Sequence, residues 1–168
     1  MNARRVRGAR SLVAASAALL IAIECCAQHA AEETGAQVWL NPGSFSYHFD
    51  RDKDLRGKNT GVGAELMLAE DHVLAAGSFI NSDRKRSHYG AYMWRPLHWE
   101  FTDVKVHAGV AVGGFDGYPN YRDGDWFPAA LPVLSVDGER VGVNLFFVPT
   151  IANRTNGAIS AQFKIRVW

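Results

Sequence analysis

Ser46 and His48 stand two residues apart in a stretch that alternates polar and apolar, so a hydroxyl and an imidazole share one face of an extended strand. That pairing suits ester chemistry, in which an imidazole takes a proton from a hydroxyl. Ser46 points deeper along the strand than His48, however, which ranks a Ser46 esterase below other uses of His48. Asn81 and Ser82 are ordinary turn residues, and Asp83 follows them. Arg84, Lys85 and Arg86 form a cationic run that suits phosphate oxygens as well as it suits a solvated loop. The six histidines are scattered without HxxxH or HExxH spacing, so no metal is expected. There is no nucleophile elbow, P-loop or dinucleotide fingerprint, and no cofactor is expected.

The elements that must position these groups are strands. Val104, Val106, Ala108, Val110 and Val112 alternate with Lys105, His107, Gly109 and Ala111. Val141, Val143, Leu145 and Phe147 alternate with Gly142 and Asn144, and Ala161, Phe163, Ile165 and Val167 with Gln162, Lys164 and Arg166. Further strands are read at 44–49, 60–68, 72–80, 87–94 and 126–136, which makes eight. Asp137-Gly138 reads as a two-residue hairpin turn and 69–71 as another short one. The stretches 50–59, 81–86, 114–125 and 149–156 are longer loops, and 95–103 is a connection of middling length. Alternating long and short connections describe an eight-stranded antiparallel up-and-down barrel of the outer-membrane type.

The polar face decides between water and lipid as the barrel's surroundings. It is rich in glycine (Gly61, Gly63, Gly109, Gly113, Gly142), a thin coat for water but a good fit to a narrow lumen. Glu65, Lys105, His107, Gln162, Lys164 and Arg166 read as a charge network inside it. The apolar face has no helix to cover it, and a closed barrel satisfies its own backbone in hydrocarbon. Trp39, Trp94, Trp99 and Trp168 near the short-turn end, with Trp126 near the other, suit interfacial girdles.

The N-terminus fits export. Four arginines precede the apolar run 11–23, and Cys25-Cys26-Ala27 offers small residues for cleavage, so residues 1–27 read as a Sec-type signal peptide. Residues 28–42 then form a periplasmic segment and 43–168 the barrel. Both cysteines of the sequence fall in the signal, and no disulfide is expected after it. A lipoprotein anchor is disfavoured by Glu24 before Cys25. Removing the signal takes away four arginines and one glutamate, turning the formal charge from +1 to −2, which excludes a strongly basic nucleic-acid binder.

Trp94-Arg95-Pro96-Leu97, Leu131-Pro132-Val133-Leu134 and Val148-Pro149 with Asn156-Gly157 resemble the lipid A palmitoyltransferase (PagP) family, from about Ser46 to the C-terminus. The resemblance implies an eight-stranded barrel in the bacterial outer membrane that moves an acyl chain from a phospholipid to lipid A, acting as a monomer. It implies catalysis by a His at the outer end of the first strand, matched by His48, and by an Asp-Ser pair after the third. Ser82 matches the serine, whereas Asn81 stands where the family has aspartate; an amide cannot act as a base. Asp83 is the neighbouring carboxylate. The acyl slot is expected where Gly61, Gly63 and Gly90 leave room, and the family's use of prolines to weaken the wall for sideways lipid entry falls on Pro128, Pro132 and Pro149. The alternative is a non-catalytic structural, adhesive or lipopolysaccharide-binding barrel.

Overall fold

The computed structural model describes residues 35–151 and 155–168; the signal peptide read at 1–27 and residues 28–34 lie outside the described residues. The strands are β1 (Gln37–His48), β2 (Lys58–Ala69), β3 (His72–Ile80), β4 (Arg86–Phe101), β5 (Val104–Phe115), β6 (Phe127–Asp137), β7 (Val141–Val148) and β8 (Ala158–Arg166). Each pairs antiparallel with the next, and β1 closes on β8. The expected eight-stranded up-and-down barrel is therefore what the chain forms. Three short hairpins lie at one rim, here the short-turn rim, and the longer loops at the other, the long-loop rim.

The period-two pattern sorts side chains as the sequence implies. In β5, His107 and Ala111 are buried while Val112 is half exposed, and in β8 Lys164 is buried between exposed Phe163 and Ile165. The outside is apolar: Phe45, Val62, Leu74, Trp94, Phe147 and Phe163 all stand exposed. The inside is polar and charged towards the short-turn rim. This is the reverse of a water-soluble barrel.

Two bulges reset the alternation, and each moves a residue away from its expected place. In β1 the register shifts around Pro42, which has no N–H to give a ladder. The strand continues through it and starts at Gln37, inside the stretch assigned to the N-terminal segment. The shift inverts the phase, so Trp39 points inward at 1% exposure rather than joining an interfacial girdle. In β4, Arg95 and Pro96 together oppose Gly109, and the strand runs on to Phe101 where a connection was expected. A Cβ on Gly109 would lie 1.9 Å from the Trp94 carbonyl oxygen, so only glycine fits opposite this bulge. The bulge turns Arg95 into the lumen while Trp94 and Leu97 both stay outside.

The hairpin between β6 and β7 also departs from expectation. Gly138 donates its N–H to the Val141 carbonyl at 2.9 Å, so Glu139-Arg140 forms the turn and Asp137 ends β6 inside the barrel. There it completes a dry charge network. Lys164 Nζ lies 3.2 Å from Glu65 and 2.8 Å from Asp137, and Arg95 Nη1 reaches Asp137 at 3.1 Å. Asn41 and Asn144 both donate to Glu65 Oε1, at 2.9 and 2.6 Å. Lys164 also sits over the Trp39 ring, 5.0 Å from its centroid. Two anions and two cations balance, which is the condition for burying them. Lys105, expected in this network, instead lies at the short-turn rim with Glu70 and Glu100. The Lys105 hydrogen bond holds the Glu70 carboxyl below its usual range.

Candidate functional site at the long-loop rim

Above the charge network the lumen opens into a cavity of about 450 Å³. Its hydrocarbon lining includes Met93, Ala111, Phe115, Phe127, Leu131 and Phe146, and His48, Ser82 and Asp83 stand towards the long-loop rim. Gly61 and Gly63 line it too, but neighbours occupy the space they free. A Cβ on Gly61 would meet Phe79, and one on Gly63 would meet Tyr89 Oη at 2.3 Å. Gly90 faces outward with nothing near it, so it makes no room in the slot. The room comes from the alanines at 75, 91, 111 and 129.

His48 is the last residue of β1, paired with Ala158 of β8. Its position is held from beyond the strand: Phe49 donates to the Gly157 carbonyl at 2.8 Å, and Asn156 Nδ2 to the Asp50 carbonyl at 2.8 Å. Ser82 and Asp83 are carried by the β3–β4 loop, which the Arg56 N–H ties to the first loop through the Ser82 carbonyl at 3.0 Å. His48 and Ser82 therefore line one cavity, without Asn81. Asp83 joins them in the same lining, close enough for its charge to act on both His48 and Tyr118. Burial first, and Asp83 second, push the Tyr118 phenol well above its usual range, so it stays neutral.

Asn81 is elsewhere. It is fully buried, outside the cavity lining, and all its polar capacity is used. Its Nδ2 donates to Ser87 Oγ at 2.9 Å and to the Gly117 carbonyl at 2.8 Å; its Oδ1 accepts from the backbone N–H of Asp83 and of Lys85, each at 3.0 Å. The residue shapes the loop that presents Ser82 and Asp83 and clasps it to the β5–β6 loop. The same clasp includes Asp116. Burial opposes its charge, yet the backbone N–H and ring of His88 outweigh that and hold its carboxyl below the usual range. Asn81→Asp, which on sequence grounds would restore a family carboxylate, should instead remove two donors and set a carboxylate against a carbonyl. The expected cost is about 1–3 kcal/mol of stability with no gain in activity, measured by denaturant unfolding of the refolded barrel.

The three prolines share one seam. Because Gly138 of β6 bonds to β7, the even-numbered residues of β6 direct their N–H groups towards β7. Pro128 and Pro132 are among them and have none to give. Continuing the register would set Pro132 opposite Phe147 and Pro149 opposite Ala130. The β6–β7 ladder stops at the Val133–Phe146 pair, while β6 stays paired with β5 up to Phe127. The upper half of the wall therefore has an unladdered slot between β6 and β7, and Pro128, Leu131 and Pro149 line the cavity behind it.

The chain thus forms a closed eight-stranded barrel with an apolar exterior, a charged plug and a hydrocarbon-lined cavity beneath a histidine-bearing rim. No protein-family model matches the chain. Among curated proteins it is similar to the lipid A acyltransferase PagP of Laribacter hongkongensis (strain HLHK9), with 29% identity over 90 residues, 51% of this chain. The match spans 40% of that protein's length. The distant resemblance to PagP carried by the sequence motifs is thus borne out.

Proposed function

We propose that this protein is a bacterial outer-membrane acyltransferase that moves an acyl chain from a phospholipid to lipid A. The observation that carries this reading is the hydrocarbon cavity, closed below by the Glu65–Lys164–Asp137–Arg95 plug and flanked above by the β6–β7 slot. A chain entering through the slot lies among Phe127, Leu131 and Phe146 and brings its ester to the long-loop rim. His48 takes the proton from the acceptor hydroxyl as that oxygen attacks the ester carbonyl, and returns it to the departing lysophospholipid oxygen. Asp83 stabilises the imidazolium that forms between these steps, and the Ser82 hydroxyl is the candidate donor to the developing oxyanion. The cofactor-free, metal-free chemistry expected from the sequence suffices for this reaction. The partners in this reading are a phospholipid and lipid A, handled by a monomer.

Asn81 favours the competing reading of a non-catalytic, lipopolysaccharide-binding barrel, because the position of the family carboxylate is occupied by a structural amide. The two readings separate in one assay. The refolded barrel, given a phospholipid labelled in one acyl chain together with lipid A, should transfer label to lipid A. Label retained in phospholipid, or released only as free fatty acid, would contradict acyl transfer.

Lipid as the barrel's surroundings has its own test. Val110 lies midway along β5 and faces out between Trp94 and Pro132. Val110→Arg should destabilise the barrel by about 2–4 kcal/mol in bilayers, read from urea titrations of folded and unfolded bands on unheated gels. Lys105→Arg at the rim should be tolerated. Equal effects of the two would place the lipid-facing side wrongly.

A further inference from the structure

The slot between β6 and β7 ends below at the Val133–Phe146 pair. At the long-loop rim a strap of side chains closes it again. Thr155 Oγ1 donates to Tyr121 Oη at 3.1 Å, joining the β7–β8 loop to the β5–β6 loop. Each partner is fixed to the strand on its own side of the slot. The Tyr121 ring stacks on Phe127, the first residue of β6, with centroids 4.5 Å apart. Thr155 exchanges two backbone hydrogen bonds with Ile151, at 2.9 and 3.0 Å, just beyond Pro149 where the chain leaves β7. Tyr121 and Thr155 both line the cavity behind the slot.

The β5–β6 loop that carries Tyr121 is held unevenly. Its base is tied down: Gly117 donates its N–H to the Gly124 carbonyl at 2.8 Å, and the Gly117 carbonyl accepts from the buried Asn81. The tip, residues 118–123, is not tied in this way. Among the described residues, the Thr155 bond is the one hydrogen bond that joins the tip to another element. Lifting the tip therefore breaks one hydrogen bond and one ring stack, and water at the rim satisfies the two hydroxyls it frees.

A phospholipid that sends one chain into the lumen keeps the other in the bilayer, so its glycerol end must cross the barrel wall. A slot closed at both ends admits a chain only by its free end, threaded through from the bilayer. With the tip lifted the slot becomes a notch open at the rim. A chain then slides in sideways, and its ester arrives at the rim that carries His48.

We propose that the Tyr121–Thr155 bond is a latch on the β6–β7 slot, which opens to admit a two-chained lipid from the bilayer. The proposal rests on the acyl-binding reading given above and adds the step that controls entry. Its test couples lipid to a thiol placed inside the cavity. Ala91→Cys sets that thiol in the lining on β4, and Cys25→Ser with Cys26→Ser removes the two cysteines of the sequence. Two probes carry the same acyl chain with a maleimide at its far end, one a phosphatidylcholine and the other the free fatty acid. The refolded barrel is mixed with each in detergent micelles, and coupling is followed by protein mass.

Tyr121→Phe keeps the ring and its stacking but removes the hydroxyl, and Thr155→Val keeps the side-chain shape. Each should speed coupling of the phospholipid about two- to tenfold, the net worth of one hydrogen bond. The two together should gain no more than either alone, because they remove the same bond. The fatty acid, which threads by its free end, should couple at an unchanged rate. Heat-modifiable gel migration checks that the variants fold. A phospholipid rate left unchanged or lowered by both substitutions, or equal acceleration of both probes, would overturn the proposal. Coupling of the fatty acid alone, in native and latch variants alike, would overturn it too while leaving the cavity an acyl site. Failure of both probes to couple would overturn the acyl-binding reading itself, and this proposal with it. Latch-dependent coupling without transfer to lipid A would support the proposal while the transferase reading fails.

Discussion

Replacing His48 by alanine should lower acyl transfer by about 10²–10⁴-fold, the usual contribution of a positioned general base. The barrel should still fold, because His48 ends β1 at the rim and the strand is anchored there by backbone pairing with Ala158 and by the Phe49–Gly157 bond. Heat-modifiable gel migration reports the fold, and label transfer reports the rate. Asp83→Asn should cost less than His48→Ala, since Asp83 acts on the reaction through the imidazole. It should also change the pH dependence of the rate, which a purely structural role would not. Ser82→Ala removes a single donor and should fall between the two. An unchanged rate in His48→Ala would remove the base from the mechanism.

The largest effect on stability is expected from breaking the plug. Glu65 is 1% exposed and takes bonds from Asn41, Asn144 and Lys164 at once. Glu65→Ala should cost about 3–5 kcal/mol, because it leaves Lys164 with one anion against two cations and strands two amide donors. Lys164→Met strands the opposite charge and should cost a similar amount. Removing both together should cost markedly less than the sum of the two, the coupling expected of groups in one buried network. Urea unfolding of the four proteins in lipid vesicles gives the cycle directly. Strict additivity would show that the two charges do not stabilise each other.

The long alternating runs at 104–112, 141–147 and 161–167 made the barrel legible, since period two with turns of alternating length has few other solutions. What alternation cannot reveal is where it is interrupted. The bulge at Pro42 absorbs its missing N–H and inverts the phase, which sends Trp39 inward and lets the strand reach back to Gln37. The same effect hid Arg95: the extra residue opposite Gly109 turns it into the lumen, where it meets an Asp137 that the Asp-Gly turn signal had placed in a hairpin. The plug was thus read with Glu65 and Lys164 correct and half of its members missing.

The candidate site was legible to the same degree and for the same reason. His48 lies on a strand, and its phase alone aims it into the lumen. Asn81, Ser82 and Asp83 lie in a loop, where no period says which of three neighbours faces the cavity. The tight bonds of Asn81 to Ser87 and Gly117 decide it, and those partners lie 6 and 36 residues away in sequence. The family resemblance alone singles out the prolines; the Gly138–Val141 bond and the β6–β7 register set all three at one seam, and neither is readable from the sequence.

The mass of lipid A from otherwise identical Gram-negative cells with and without this protein tests the central claim most directly. Acyl transfer predicts a new species heavier by one acyl chain in expressing cells, absent when His48→Ala is expressed at the same level in the same membrane. Identical lipid A spectra in all three strains, with the folded barrel present in the outer membrane, would contradict it.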